Sequence, residues 1–176
     1  MIGKNRRTVQ IAILIGVLLL GGYAIGKTLF ASTGGVPEVG GKPPAFELAG
    51  VDGTVHEWKD YIGKPVVINF WGSFCPPCVA EMPAFQEQYD KWKGQGLEVL
   101  AINLSEDDLT VNSFLQRFDL DYTILRDKNR IVEKQYGLRS YPTTFFVQPD
   151  GTIMDIYVGG MTAEDIEQRI ERLLQG

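Results

Sequence analysis

The sequence predicts an α/β fold, a mixed central sheet flanked by helices. Three observations carry this. Two almost wholly apolar runs, PVVINFW at 65–71 and LEVLAINL at 97–104, read as strands buried on both faces, which are typically parallel and central. A segment with apolar residues at helical spacing follows each of them. Near the C-terminus, TTFFVQPDGTIMDIYV reads as an antiparallel hairpin turning at Pro149-Asp150-Gly151, with one last amphipathic helix behind it. Parallel strands joined by helices, then a hairpin and a helix, make one sheet between helical layers.

The chain opens in a different material. Residues 9–26, VQIAILIGVLLLGGYAIG, carry no charge, and these 18 residues follow Lys4, Arg6 and Arg7. As a helix they would reach about 27 Å, close to a bilayer's hydrocarbon thickness. The expectation is a cytoplasmic n-region at 1–8, a signal-anchor transmembrane helix at 9–30 and a cell-membrane location. The positive residues stay cytoplasmic, which sends the rest of the chain outside. A cleaved signal peptide ending at Ala24-Ile25-Gly26 competes with this reading, although the apolar run exceeds the usual ~7–15 residues. Residues 31–44, rich in Gly, Pro and Ser, read as a linker, and 45–176 as the domain that carries the chemistry.

Within that domain the elements follow in order. Asp52-Gly53, between FEL and TVHEW, suggests a small N-terminal hairpin. After the strand at 65–71, a helix from Pro76 to Lys93 is predicted, with Val79, Met82, Phe85, Tyr89 and Trp92 as its apolar stripe and Pro83 interrupting its hydrogen bonds. After 97–104, residues 107–118 read as helix with Leu109, Phe114, Leu115 and Phe118 facing the core. YTIL and RIVEKQYGL suggest a short strand and a helical turn ending at Gly137. Thr162 is the expected N-cap of the last helix, TAEDIEQRIERLLQ.

The net charge is −5, and Lys4, Arg6, Arg7 and Lys27 lie before residue 37, leaving 13 basic against 22 acidic residues, a net of −9, for the remainder. A domain this acidic lacks the basic face that nucleic acid requires.

The chemistry gathers in WGSFCPPCVAEMP, residues 71–83, which holds the only two cysteines, Cys75 and Cys78. A cysteine just before a helix sits at unpaired N–H groups and at the positive end of the helix dipole, so its thiolate is favoured. Cys78, one turn further in, can close a disulfide on it. Cys75 is thus expected to attack and Cys78 to resolve the mixed disulfide. Pro76 and Pro77 fix the turn and remove two N–H donors. Glu81 shares a helix face with Cys78, and spacing leaves two readings open: a proton-moving group or a solvated helix glutamate. Zinc wants about four ligands, and this chain offers one cysteine pair and a single histidine, His56, which reads as a surface or packing residue. A purely structural disulfide closing so short a loop would stabilise little. In SYPTTFF, Pro142 opens a strand, where proline needs a special excuse; a cis Tyr141–Pro142 bond would supply one. It would leave backbone free to bind an extended peptide beside the cysteines.

The buried strand, WGSFCPPC, Glu81 and YPTTFF together resemble the thioredoxin superfamily. More closely, residues 37–176 are similar to the ResA/TlpA-type membrane-anchored extracytoplasmic thiol–disulfide oxidoreductases. The marks are NFWGSFCPPC followed by AEMP, then GLEVLAINL and GLRSYPTTFFVQPDGTI. The resemblance implies a thioredoxin fold with an inserted strand–helix unit at 121–137, a cis Pro142, attack by Cys75, and tuning of the thiols by Glu81. It places substrate binding on Trp71, Pro76, Pro77, Tyr141, Pro142 and Thr143. It implies no cofactor and no metal beyond the redox-active Cys75–Cys78 disulfide. It further implies electrons from a membrane thiol carrier of the CcdA type and reduction of the haem-binding cysteine pair of apocytochrome c. One departure is Pro76, where ResA carries an acidic residue; a double-proline turn occurs in sporulation paralogues of the StoA type, so a spore or envelope substrate is the alternative. The peroxiredoxin pattern P-x-x-x-[ST]-x-x-C fails at both cysteines, with Ile68 and Gly72 before Cys75, and Trp71 and Cys75 before Cys78. A copper-assembly factor on the same fold would want a late histidine, and none follows His56.

Overall fold

The computed structural model describes residues 10, 13–16 and 35–176. Most of the expected anchor, 9–30, lies outside the described residues. Among those described, no helix is long and apolar enough to cross a membrane. The chain divides into two units, Met1–Gly35 and Val36–Gly176.

The second unit runs β1 (Glu47–Gly50), β2 (Val55–Glu57), a 3-10 turn at Trp58–Tyr61, β3 (Val66–Trp71), α1 (Pro76–Trp92), β4 (Glu98–Leu104), α2 (Asp108–Leu115), β5 (Thr123–Asp127), α3 (Ile131–Gln135), β6 (Thr143–Val147), β7 (Ile153–Val158) and α4 (Ala163–Gln175). The seven strands form one sheet in the order β2-β1-β5-β4-β3-β6-β7. β3, β4 and β5 are parallel, and the two hairpins join antiparallel at either side. The fold is the expected mixed sheet. The inserted unit is β5 with α3, and β5 takes a place inside the sheet, between β4 and the N-terminal hairpin.

The alternation of β3 builds two cores. Val67 and Trp71 face α1 and α4, where Met82, Phe85, Ile166 and Ile170 cover them. Val66, Ile68 and Phe70 face the other layer, with Trp58, Val132, Tyr136 and Phe145. All six β3 residues are buried, which is why the run carries so little polar pattern. Truncating a core aromatic such as Phe85, 1% exposed, to alanine costs about 3–5 kcal/mol. α4 starts at a capping box in which Thr162 and Asp165 satisfy each other's backbone N–H.

Two expectations need correction. Leu109 does not join the core: it is 78% exposed, and Val111 is the buried residue of α2. The helix is rotated so that its core contact falls two residues later. Residues 36–44, read as linker, are pinned to the domain: Gly40 N–H donates to the Ile153 carbonyl at 2.8 Å, and Ile153 N–H to Gly41 at 2.9 Å. This segment extends the hydrogen bonding of β7 at its start. α1 continues through Pro83, which lies on its exposed face.

Candidate active site

β3 delivers the chain to the turn Gly72–Phe74, and Cys75 becomes the N-cap of α1 with extended backbone. Pro76 and Pro77 occupy the first helical positions, where a missing N–H costs no helical bond. Their absence leaves Cys78 N–H as the first donor able to turn back, and it reaches Cys75 Sγ at 3.4 Å. The sulfur thus fills the place an N-cap oxygen usually takes. The two cysteines are joined as a disulfide, with Cα atoms 5.3 Å apart. Cys78 is wholly buried and Cys75 keeps 7% of its surface. The expected order of exposure holds, but Cys75 is less open than an attacking thiol on a bare helix end, because Phe74, Pro76 and Pro77 take the outer surface.

Glu81 is not a solvated helix glutamate. It is 1% exposed, one turn beyond Cys78 on the inward face of α1. Its Oε1 accepts from Asn69 Nδ2 at 2.8 Å and its Oε2 from Met161 N–H at 3.1 Å. Burial pushes its carboxyl up from the ordinary 4.5 to about 7, against the pull of the Met161 and Asn69 hydrogen bonds. Asn69 is held in turn by Thr144 Oγ1 at 2.9 Å. Burial also raises Tyr122, and the charge of Glu81 adds to it, so this phenol stays neutral in the core.

The other expected residues divide. The Tyr141–Pro142 bond is cis. The Pro142 carbonyl accepts Gly159 N–H at 2.8 Å, which ties this corner to the end of β7. The loop behind β7 closes on the cysteine turn: a Cβ at Gly160 would stand 2.9 Å from Pro77 Cβ. Tyr141 lies half-buried across the site, its ring 6.5 Å from that of Phe74, and its hydroxyl is held by Glu133 and Arg130 of the inserted unit. Trp71 does not belong to the binding surface. It is 0% exposed and packs on Phe114 at 5.1 Å, because it is the last core-facing residue of β3. Pro142 and Thr143 are buried as well, with the Thr143 hydroxyl spent on the Ser140 carbonyl at 2.7 Å. Of the residues expected to bind substrate, Pro76 and Pro77 are exposed and Tyr141 is half-buried.

Four residues of the site lacked a sequence argument. Asn69 was the polar member of an apolar strand, and that oddity was its signal. Met161 reaches Glu81 through its backbone N–H. Phe74, 62% exposed beside Cys75, could have been noticed as an aromatic in a turn. Glu106 has no local signal. Its carboxylate accepts Ser73 N–H at 2.8 Å, the Ser73 hydroxyl, and Asn103 Nδ2 at 2.7 Å. It therefore pins the turn before Cys75 to the end of β4. Ser105, at φ 56°, makes the left-handed bend that presents it.

Fold and site together define a class: an enzyme of the thioredoxin fold that exchanges dithiols and disulfides. Its partners in exchange are proteins that carry a disulfide. The chain belongs to the AhpC/TSA family, whose model matches residues 39–156. It is 39% identical to the thiol-disulfide oxidoreductase ResA of Geobacillus kaustophilus over 170 residues, 97% of each chain. Against ResA of Bacillus subtilis the identity is 32% over 173 residues, 98% of this chain and 96% of that one. Among solved structures it resembles a DsbE-type thiol:disulfide interchange protein of Chlorobium tepidum, with TM-score 0.74 and 30% identity over 78% of this chain and 99% of that one. It also resembles StoA of Bacillus subtilis, with TM-score 0.63 and 27% identity over 73% and 97% of the two chains.

Proposed function

We propose that this chain is a membrane-tethered reductase of extracytoplasmic protein disulfides, and that its substrate is the haem-binding cysteine pair of apocytochrome c. The observation that carries the reductase reading is the pairing of an N-capping sulfur with a buried carboxyl that keeps its proton to about pH 7. In the reduced protein, the α1 dipole and Cys78 N–H favour the Cys75 thiolate. That thiolate attacks one sulfur of the substrate disulfide, and the other leaves as a thiolate. Cys78 gives up its proton, for which the ionised form of Glu81 is the proposed acceptor, and attacks Cys75 Sγ. The second substrate sulfur leaves, two electrons have passed to the substrate, and the protein is left as the disulfide seen here. Restoring the dithiol requires a thiol reductant, for which a membrane carrier of the CcdA type is our proposal. Identity to thiol-disulfide oxidoreductases along nearly the whole chain supports the exchange chemistry, and the apocytochrome assignment follows from the motif resemblance set out above.

A second reading, reduction of spore or envelope proteins, is favoured by the Pro76-Pro77 turn and the likeness to StoA. Deleting the gene and staining membranes for covalent haem separates the two. The first reading expects loss of c-type haem, restored by an added thiol or by the wild-type chain but not by Cys75→Ser. Unchanged c-type haem with a spore or envelope defect would give the protein to the second.

A further inference from the structure

We propose that Glu133 is a positioning residue for the exchange reaction, and that it acts through Tyr141, the residue before Pro142. This rests on the reductase reading above. Glu133 carries a carboxylate with only 6% of the residue exposed, on α3, a helix of five residues. Asp127, at the end of β5, fixes the start of that helix, accepting Ile131 N–H at 2.9 Å and Glu133 N–H at 2.8 Å. The Glu133 carboxylate in turn accepts from Arg130 Nε, from Arg130 Nη2 at 2.6 Å and from the Tyr141 hydroxyl. Arg130 Nη2 also donates to that hydroxyl at 2.9 Å. The phenol oxygen thus has both a donor and an acceptor, supplied by one turn of the inserted unit. Arg130 sits at φ 54°, in the left-handed region that side chains other than glycine rarely adopt.

A buried carboxylate is costly, and an apolar side chain of similar size would serve the packing of α3 at least as well. Support of the fold therefore does not account for Glu133. What its carboxylate adds is a fixed place for one phenol. That phenol belongs to a residue that packs against both hydrophobic cores, and its ring meets the ring of Phe74, next to Cys75, at 6.5 Å. The carbonyls on either side of Tyr141 are occupied, that of Ser140 by the Thr143 hydroxyl at 2.7 Å and that of Pro142 by Gly159 N–H at 2.8 Å. Among the described residues no donor reaches the Tyr141 carbonyl, which leaves the bonds of its side chain to steady that peptide unit. Holding the ring therefore holds this corner beside the reacting sulfur, and a geometry fixed in advance lowers the barrier to reaction.

The test uses the full chain, pre-reduced, and compares its rate with insulin to its rate with bis(2-hydroxyethyl) disulfide, which is too small to meet the corner while it reacts at Cys75. Glu133→Leu should lower the ratio of the two rates roughly fivefold, the effect of about one net hydrogen bond. Tyr141→Phe should lower it by the same factor and the double variant no further, because both remove one and the same link. Glu133→Gln keeps a carbonyl oxygen for the phenol, so its ratio should lie between those of Glu133→Leu and the wild type. Thermal unfolding of Glu133→Leu should stay within about 4 °C of the wild type. Should that variant unfold, Tyr141→Phe, which loses a single oxygen at a half-buried position, still decides the matter. Losses that multiply in the double variant, ratios that no variant moves, or a fall shared equally by both disulfides overturn the proposal. A wild-type chain that reduces neither disulfide would bring down the reductase reading, and this proposal with it.

Discussion

Replacing Glu81 by glutamine keeps the shape of the side chain and removes its titration. In the wild-type chain the folded state holds the carboxyl proton to about pH 7, while the unfolded chain releases it near 4.5. Folding therefore takes up a proton across that window. The stability this contributes is complete below pH 4.5 and is lost as pH rises through 7. At about 1.4 kcal/mol for each tenfold in proton affinity, the loss is about 3 kcal/mol. The amide has one acceptor where the carboxyl has two, so one of the bonds from Asn69 and Met161 must go. Turning the Asn69 amide over recovers it, because the Thr144 hydroxyl can donate as readily as accept. The variant should thus fold, with a stability that does not follow this window. Urea titrations of the disulfide form at pH 5 and pH 8 measure the difference directly, since other titrating groups cancel between wild type and variant. The gap between the two proteins should move in the variant's favour by about 2.5 kcal/mol from pH 5 to pH 8, because the unfolded carboxyl is already largely ionised at pH 5. Parallel profiles would mean that the carboxyl is not held protonated, and the proton-handling role of Glu81 would fall with it.

The remaining predictions are independent of that result. Cys75→Ser should reduce insulin disulfides no faster than buffer with dithiothreitol, while Cys78→Ser should accumulate a mixed disulfide with substrate, read by mass spectrometry; equal residual activity in the two would contradict the assigned order. Glu106→Ala leaves the Ser73 N–H and Asn103 amide without their shared acceptor, and thermal unfolding should show a loss of about 2 kcal/mol. Gly160→Ala drives a methyl to 2.9 Å from Pro77 Cβ and should cost about 1–3 kcal/mol by overpacking. It should also shift the chain's redox equilibrium with glutathione, because the loop it displaces holds Glu81 through Met161. An unchanged equilibrium would detach that loop from the redox turn.

The central strands were legible because β3 and β4 are buried on both faces and show it as unbroken apolar runs. The helix N-terminus was legible from Cys75-Pro76-Pro77, and the last helix from Thr162. The pairings that cross the sheet were not. No local pattern says that β1 lies beside β5 with Ala49 opposite Arg126, because that register is set by tertiary packing. The orientation of α2 misled for a related reason. Leu109 and Val111 are both apolar, and which one meets the core depends on how the helix lands on the sheet. Spacing put Glu81 on the sulfur's side of α1 but left its burial undecided. Its burial comes from Asn69 and Met161, 12 and 80 residues away. Glu106 acts over 33 residues through a side chain whose neighbours in sequence read as an ordinary helix start.

Partition of a thiol reagent between the two sulfurs tests the account most directly. The reduced chain is given a brief pulse of iodoacetamide under native conditions, and each cysteine's labelling is counted by mass spectrometry. The N-capping sulfur, which alone reaches solvent in the structure, should take nearly all of the label and Cys78 almost none. Labelling of Cys78 as fast as Cys75 would contradict the assignment of attack to one sulfur and completion to the other.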